Sequence, residues 1–217
     1  MKKYFLLLFA SICLQNCFEY EETINFKRFN SGTLEINYTV PISPISGKSL
    51  IAFLPTEEEE IINKISKYRN LAPNQFHDFS AKKIEPKEND ESLFKDKMKV
   101  SYKVDFDDVA HLEGIVVGTI NIKTRGRSIF IKREFPRSSS TYYKDREMLI
   151  GEKKINQESR RLLKDAYFVF KMNTPINTEM TSNRGSVGLG NIYYSLPVSE
   201  TLDPGDTINW DLSIRFF

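Results

Sequence analysis

Apolar and polar residues alternate with a period of two along most of the chain, the pattern of strands that bury one face. Phe18, Tyr20, Ile24 and Phe26 alternate with Glu19, Glu21, Thr23 and Asn25. After Asn30-Ser31-Gly32 the pattern resumes with Leu34, Ile36, Tyr38 and Val40, which predicts a hairpin about that turn. Met98, Val100, Tyr102, Val104 and Phe106 make the cleanest strand. Further strands are predicted over Gly114–Lys123, Ser128–Phe135, Ala166–Met172, Gly190–Leu196 and Thr207–Phe216. The inward set should include Val100, Tyr102 and Val104, with Ile36, Tyr38, Leu212 and Ile214.

Helical signals are few. Thr56 followed by Glu57, Glu58 and Glu59 reads as a capping box, with acids favourably placed at a helix N-terminus. Ile61, Ile62, Ile65 and Tyr68 then share one face, and Pro73 ends the run. A weaker helix is predicted over Gln157–Leu163, and a single turn over Asp107–Leu112. Strands dominate without βαβ alternation. The expected fold class is α+β, a largely antiparallel sheet with the 57–69 helix packed on one face, Ile61 and Ile65 inward.

The amino terminus departs from this pattern. Met1-Lys2-Lys3 precedes eleven uncharged residues, Tyr4 to Leu14. Crossing a bilayer takes roughly 20 apolar residues, so this run reads as the hydrophobic region of a signal peptide. It closes in Leu14-Gln15-Asn16-Cys17, and Glu19, Glu21 and Glu22 follow at once. Leu three residues before Cys resembles a bacterial lipobox, with Asn16 where a smaller residue is usual, as in relaxed spirochaetal-type lipoboxes. That resemblance implies a diacylglycerol on the Cys17 thiol, cleavage before it, and two parts, a signal peptide over 1–16 and one anchored domain over 17–217. The alternatives are an ordinary Cys17 after secretory cleavage, or modification at Cys13. After cleavage at Cys17 one thiol remains and no disulfide is available to it.

Composition narrows the chemistry. The chain of 217 residues carries 31 Lys+Arg and 29 Asp+Glu, and without Lys2 and Lys3 the two signs balance. Such a balance excludes a generally basic nucleic-acid binder. Two His and two Cys exclude most His/Cys metal centres. His111 beside Asp107 and Asp108 is explained by a capped turn; the carboxylates of Asp105, Asp107 and Asp108 could serve a glycosidase only with a partner about 5–9 Å away, and the Asp after Phe106 reads as a turn cap. No G-x-S-x-G is present, and Gly185, Gly188 and Gly190 fit neither a dinucleotide fingerprint nor a P-loop; they read as a mobile loop. Residues 123–165 hold 13 basic and 6 acidic side chains, with Phe130, Tyr142 and Tyr143 among them, which in an exported protein suits anionic head groups or polysaccharide. The final strand places Trp210, Leu212, Ile214 and Phe216 on one face and Asp211, Ser213 and Arg215 with Phe217 on the other, against a lipid-facing barrel strand. No catalytic residue, metal ligand or cofactor site is assigned.

The order of these elements resembles the LppM-like group of bacterial lipoprotein ectodomains. The matching pieces are Tyr20-x-x-x-Ile24-x-Phe26, the turn ending in Gly32, Val40-Pro41, the amphipathic helix and Tyr102 through Val109. Later ones are Tyr167 through Met172, Pro175, Ser182-Asn183 and Asn191-Ile192-Tyr193-Tyr194. The resemblance implies a non-enzymatic domain held on the membrane of the bacterial envelope by its lipid. It also implies a domain able to accept a lipid or glycolipid between sheet and helix. The alternative is a structural or adhesin-type protein using its surface.

Overall fold

The computed structural model describes residues 18–217 apart from 52, 69–71, 73, 87–93, 138–160, 162, 176 and 203–204. Seven strands form one sheet and four form another. The larger holds β1 (Glu19–Arg28), β2 (Ser31–Pro41), β3 (Phe76–Ile84), β4 (Lys97–Phe106), β7 (Tyr167–Asn173), β9 (Ser186–Gly188) and β10 (Asn191–Pro197), in the order β3-β4-β2-β1-β7-β10-β9. The smaller holds β5 (Thr119–Arg125), β6 (Ser128–Phe135), β8 (Thr178–Ser182) and β11 (Ile208–Phe216), in the order β5-β6-β11-β8. The helical elements named among the described residues are α1 (Glu58–Ser66), a short α2 (Val198–Leu202) and a 3-10 turn at Val109–Leu112, with Arg161 and Leu163 also helical.

This corrects the expected α+β class. The fold is β-rich, and a second sheet, rather than a helix alone, covers the first. Rings from β7 and β10 meet rings from β6 and β11: Phe170 lies 5.2 Å from Phe135 and 5.6 Å from Trp210, and Tyr194 lies 5.0 Å from Trp210. Toward the other end of β1, Phe26 lies 5.9 Å from Phe216. Period-two alternation shows that a segment is a strand with one buried face. It does not show which sheet the strand joins, and that is where the single-sheet expectation failed.

The expected inward set is buried throughout, including Ile36, Tyr38, Ile61, Ile65, Val100, Tyr102, Val104, Leu212 and Ile214. The expected hairpin forms, with Tyr20 opposite Tyr38 and Ile24 opposite Leu34. Its turn lies at Phe29 and Asn30, the latter at φ 69°, so Ser31 and Gly32 already belong to β2. β1 also pairs with β7 in parallel, Tyr20 opposite Phe168, which makes the larger sheet mixed.

Other local expectations shift. Thr56 is buried and Glu57 is the N-cap residue of α1, without a side-chain capping bond, so the capping box does not form. Acids in the first turn remain, well placed against the helix dipole. β5 begins at Thr119 rather than Gly114. The 185–190 glycines form a tight β9–β10 hairpin rather than a loop. The predicted helix at 157–163 lies almost wholly outside the described residues, as do Tyr142 and Tyr143.

Candidate functional site

Among the described residues, two charged side chains, one in each sheet, occupy inward positions. Glu22 sits on β1 between Tyr20 and Ile24, and Arg133 on β6 between Ile131 and Phe135; both are about 1% exposed. They meet across the interface as a bidentate pair, Arg133 Nη1 donating to Glu22 Oε1 at 2.7 Å and Nη2 to Oε2 at 2.8 Å. Arg133 Nε donates to the Val117 carbonyl at 2.8 Å, and Nη2 reaches the same oxygen. Tyr20 donates its hydroxyl to Glu22 Oε2 at 3.0 Å. The guanidinium carbon lies 4.2 Å from the Phe170 ring centroid, a stacking geometry suited to Arg. Burial, reinforced by the Glu22 carboxylate, holds the Tyr20 hydroxyl well above its ordinary pKa. A planar fork on a carboxylate is the arrangement that makes a buried pair tolerable.

Beside this cluster the cover is incomplete. Between α1, the segment before β5 and the ends of β6 and β7 lies an open cleft of about 580 Å³. Its walls are mainly apolar: Phe53, Tyr68, Val116, Ile120, Phe135 and Phe168. Two glycines shape it. A Cβ on Gly114 would fall 2.2 Å from the Tyr68 ring, and one on Gly118 would fall 2.7 Å from the Glu134 carbonyl. Both have positive φ, 75° and 83°, which only glycine adopts readily. Those values end the extended run predicted from Gly114 and turn the chain into β5. Lys64 on α1 brings the cleft a cation: its Nζ donates to the Phe53 carbonyl at 2.8 Å and has further hydrogens to offer. Burial lowers its pKa, and among the described residues it forms no ion pair.

Cys17 lies outside the described residues. Among those described, no helix is long and apolar enough to cross a membrane, and no group of three or more His, Cys, Asp or Glu is placed to hold a metal. Asp108 accepts from the Ala110 amide at 2.9 Å, the expected turn cap, and Asp107 lies 3.3 Å from His111 Nδ1. Asp105 accepts from Thr33 and Lys27.

The Glu22–Arg133 pair was missed in the sequence, although a signal was there. Glu22 falls on the apolar parity of Phe18, Tyr20, Ile24 and Phe26, and Arg133 on that of Ile129, Ile131 and Phe135. Opposite charges on two inward parities are the mark of a buried partnership. The cleft has no such mark, because its walls come from six separate stretches of chain.

A family model described as LIC11874-like matches residues 12–217. Among solved structures, the NMR structure of the folded domain of the LppM protein of Mycobacterium tuberculosis aligns at 12% identity and a TM-score of 0.47. That alignment covers 93% of this chain and 91% of the other. No curated protein matches the chain.

Proposed function

We propose that this chain, which belongs to the LIC11874-like family, is a non-catalytic, lipid-anchored protein of the bacterial envelope that holds an apolar ligand in the cleft beside α1. The anchor rests on the lipobox-like Leu14-Gln15-Asn16-Cys17 behind a short apolar run. A diacylglycerol on Cys17 adds two chains at ~0.8 kcal/mol per buried methylene, sufficient for stable attachment.

The observation that carries the binding reading is the cleft itself. Pockets of roughly 300–1,000 Å³, mainly apolar with a few placed polar groups, are the usual form of a small-ligand site. Here one cation, Lys64, stands at a mainly apolar wall. This suits an acyl chain with an anionic or strongly polar head.

Mass spectrometry of the full chain made in a bacterial host tests both parts. The expected mature N-terminus is a diacylated Cys17; an unmodified peptide beginning at residue 17 or elsewhere, or an intact 1–16 segment, would refute the anchor. Solvent extraction of the purified protein should release a lipid, and Thr119→Trp, on the exposed cleft wall, should abolish its recovery. An empty extract from wild type would refute the ligand site.

A second reading, surface interaction without an internal ligand, is favoured by the outer face of the larger sheet. Exposed Tyr167 and Tyr193 flank a depression of about 520 Å³ there, with Glu19, Asn37 and Lys99 at its polar side. It becomes the better account if the extract is empty.

A further inference from the structure

At the far end of the smaller sheet, arginines and exposed phenylalanines share one surface. Arg125 on β5 and Arg215 on β11 both lie opposite Ser128 of β6, so the two arginines flank it on the outward face. Arg127 stands in the turn beside them, and all three arginines are exposed. Phe130, one step along β6, is 46% exposed and Phe217 is 67% exposed. These residues border a shallow depression of about 540 Å³. Among the described residues none of the three arginines forms an ion pair, although Glu179 of β8 lies opposite Arg215 in register. The Arg215 guanidinium rests 5.3 Å from the Phe217 ring, a contact that leaves its N–H fork free for an anion.

Bare arginines beside protruding rings match an anionic bilayer. Guanidinium groups pair with phosphate oxygens, and exposed Phe side chains bury at the boundary between headgroups and acyl chains. The location adds a constraint. Phe29 and Phe26 contact Phe216, so the patch lies at the end of β1 opposite Phe18. β1 has ten residues, and at ~3.3 Å per residue it separates the two ends by about 30 Å. That is several times the Debye length of about 8 Å in physiological salt. Phe18 is buried and directly follows Cys17, so an anchor there has no spacer. We propose that this arginine–phenylalanine patch docks on an anionic phospholipid bilayer other than the one carrying the anchor. The trans geometry rests on the anchor reading above; the surface chemistry does not.

The test uses the full chain as purified from a bacterial host, reconstituted in phosphatidylcholine vesicles. Fluorescent vesicles containing phosphatidylglycerol are added, with pure phosphatidylcholine vesicles as the control. The expected result is capture of the anionic vesicles alone, weakened by salt and reduced roughly thirtyfold by Arg125→Gln with Arg215→Gln. Phe130→Ser should weaken capture without removing its preference for phosphatidylglycerol. Equal capture of both vesicle types overturns the proposal, and so does full capture by the folded double-arginine variant. Loss of capture to inorganic phosphate at low concentration also overturns it, in favour of a free-anion site. Failure of the protein to float with its host vesicles overturns the anchor alone. Direct binding of the soluble protein to phosphatidylglycerol vesicles, with the same arginine variants, then decides the patch.

Discussion

The inner face of the seven-stranded sheet is covered in two ways, and the two halves behave differently. Over β1, β7 and β10 the smaller sheet closes the interior with interlocking rings and a buried bidentate Glu22–Arg133 pair, whose guanidinium also holds the Val117 carbonyl. Over β2 and β4 the cover is α1 and the segment before it, tied by Tyr38 donating to the Pro55 carbonyl. At the seam the cover parts and leaves a cleft with Lys64 at its wall. Buried charge in the sealed half is structural, because both side chains are about 1% exposed and turned on each other. The charge at the seam is the available one.

The largest effect should come from breaking the sealed half. Arg133→Met alone leaves Glu22 buried and unpaired and should cost about 3–5 kcal/mol in urea unfolding. Adding Glu22→Leu should return much of that loss, leaving the Tyr20 hydroxyl as the remaining deficit. If the double variant is as unstable as the single one, the pair is not the clasp described.

A smaller effect is expected in the other half. Ile65→Val, on the buried face of α1, should cost about 0.5–1.5 kcal/mol. A loss as large as that of Arg133→Met would mean that the helix, not the second sheet, holds the interior.

Lys64→Met should scarcely change stability near neutral pH. Burial puts the folded pKa of Lys64 below its ordinary 10.5, so between those values the unfolded chain binds more protons. Wild-type stability therefore gains from Lys64 as pH rises through that window, and the variant should lack this slope. The smallest effect is at Asp105. Burial opposes its charge, but Thr33, Lys27 and His77 outweigh burial and hold its pKa below 3.8. Its contribution is complete above 3.8 and fades as pH falls through the lowered value. Asp105→Asn should flatten only this part of an acid titration followed by circular dichroism.

Much of this architecture was readable in the chain, and the reasons divide by range. β2, β4, β6 and β11 follow from strict alternation in Val, Ile, Tyr and Phe, which need only their immediate neighbours to be recognised. β3 was not seen because its alternation breaks: Asp78 has φ 56° and the pairing with β4 shifts register there. β8 and β9 are short, polar and largely exposed, with no apolar face to announce them. The parallel joining of Tyr20 to Phe168 spans most of the chain, and no local pattern specifies it. Of the site, the charged pair left an unread signal in its parity, while the cleft exists only once α1 meets the ends of β6 and β7.

The claim that one half is sealed and the seam is open is tested most directly by a ligand titration of the purified protein followed by NMR. A long-chain fatty acid should shift resonances of Val116, Ile120, Phe168 and Lys64, while Tyr20, Arg133 and Trp210 stay still. Shifts centred on Arg133 and Trp210, or none along the cleft at saturating fatty acid, would contradict it.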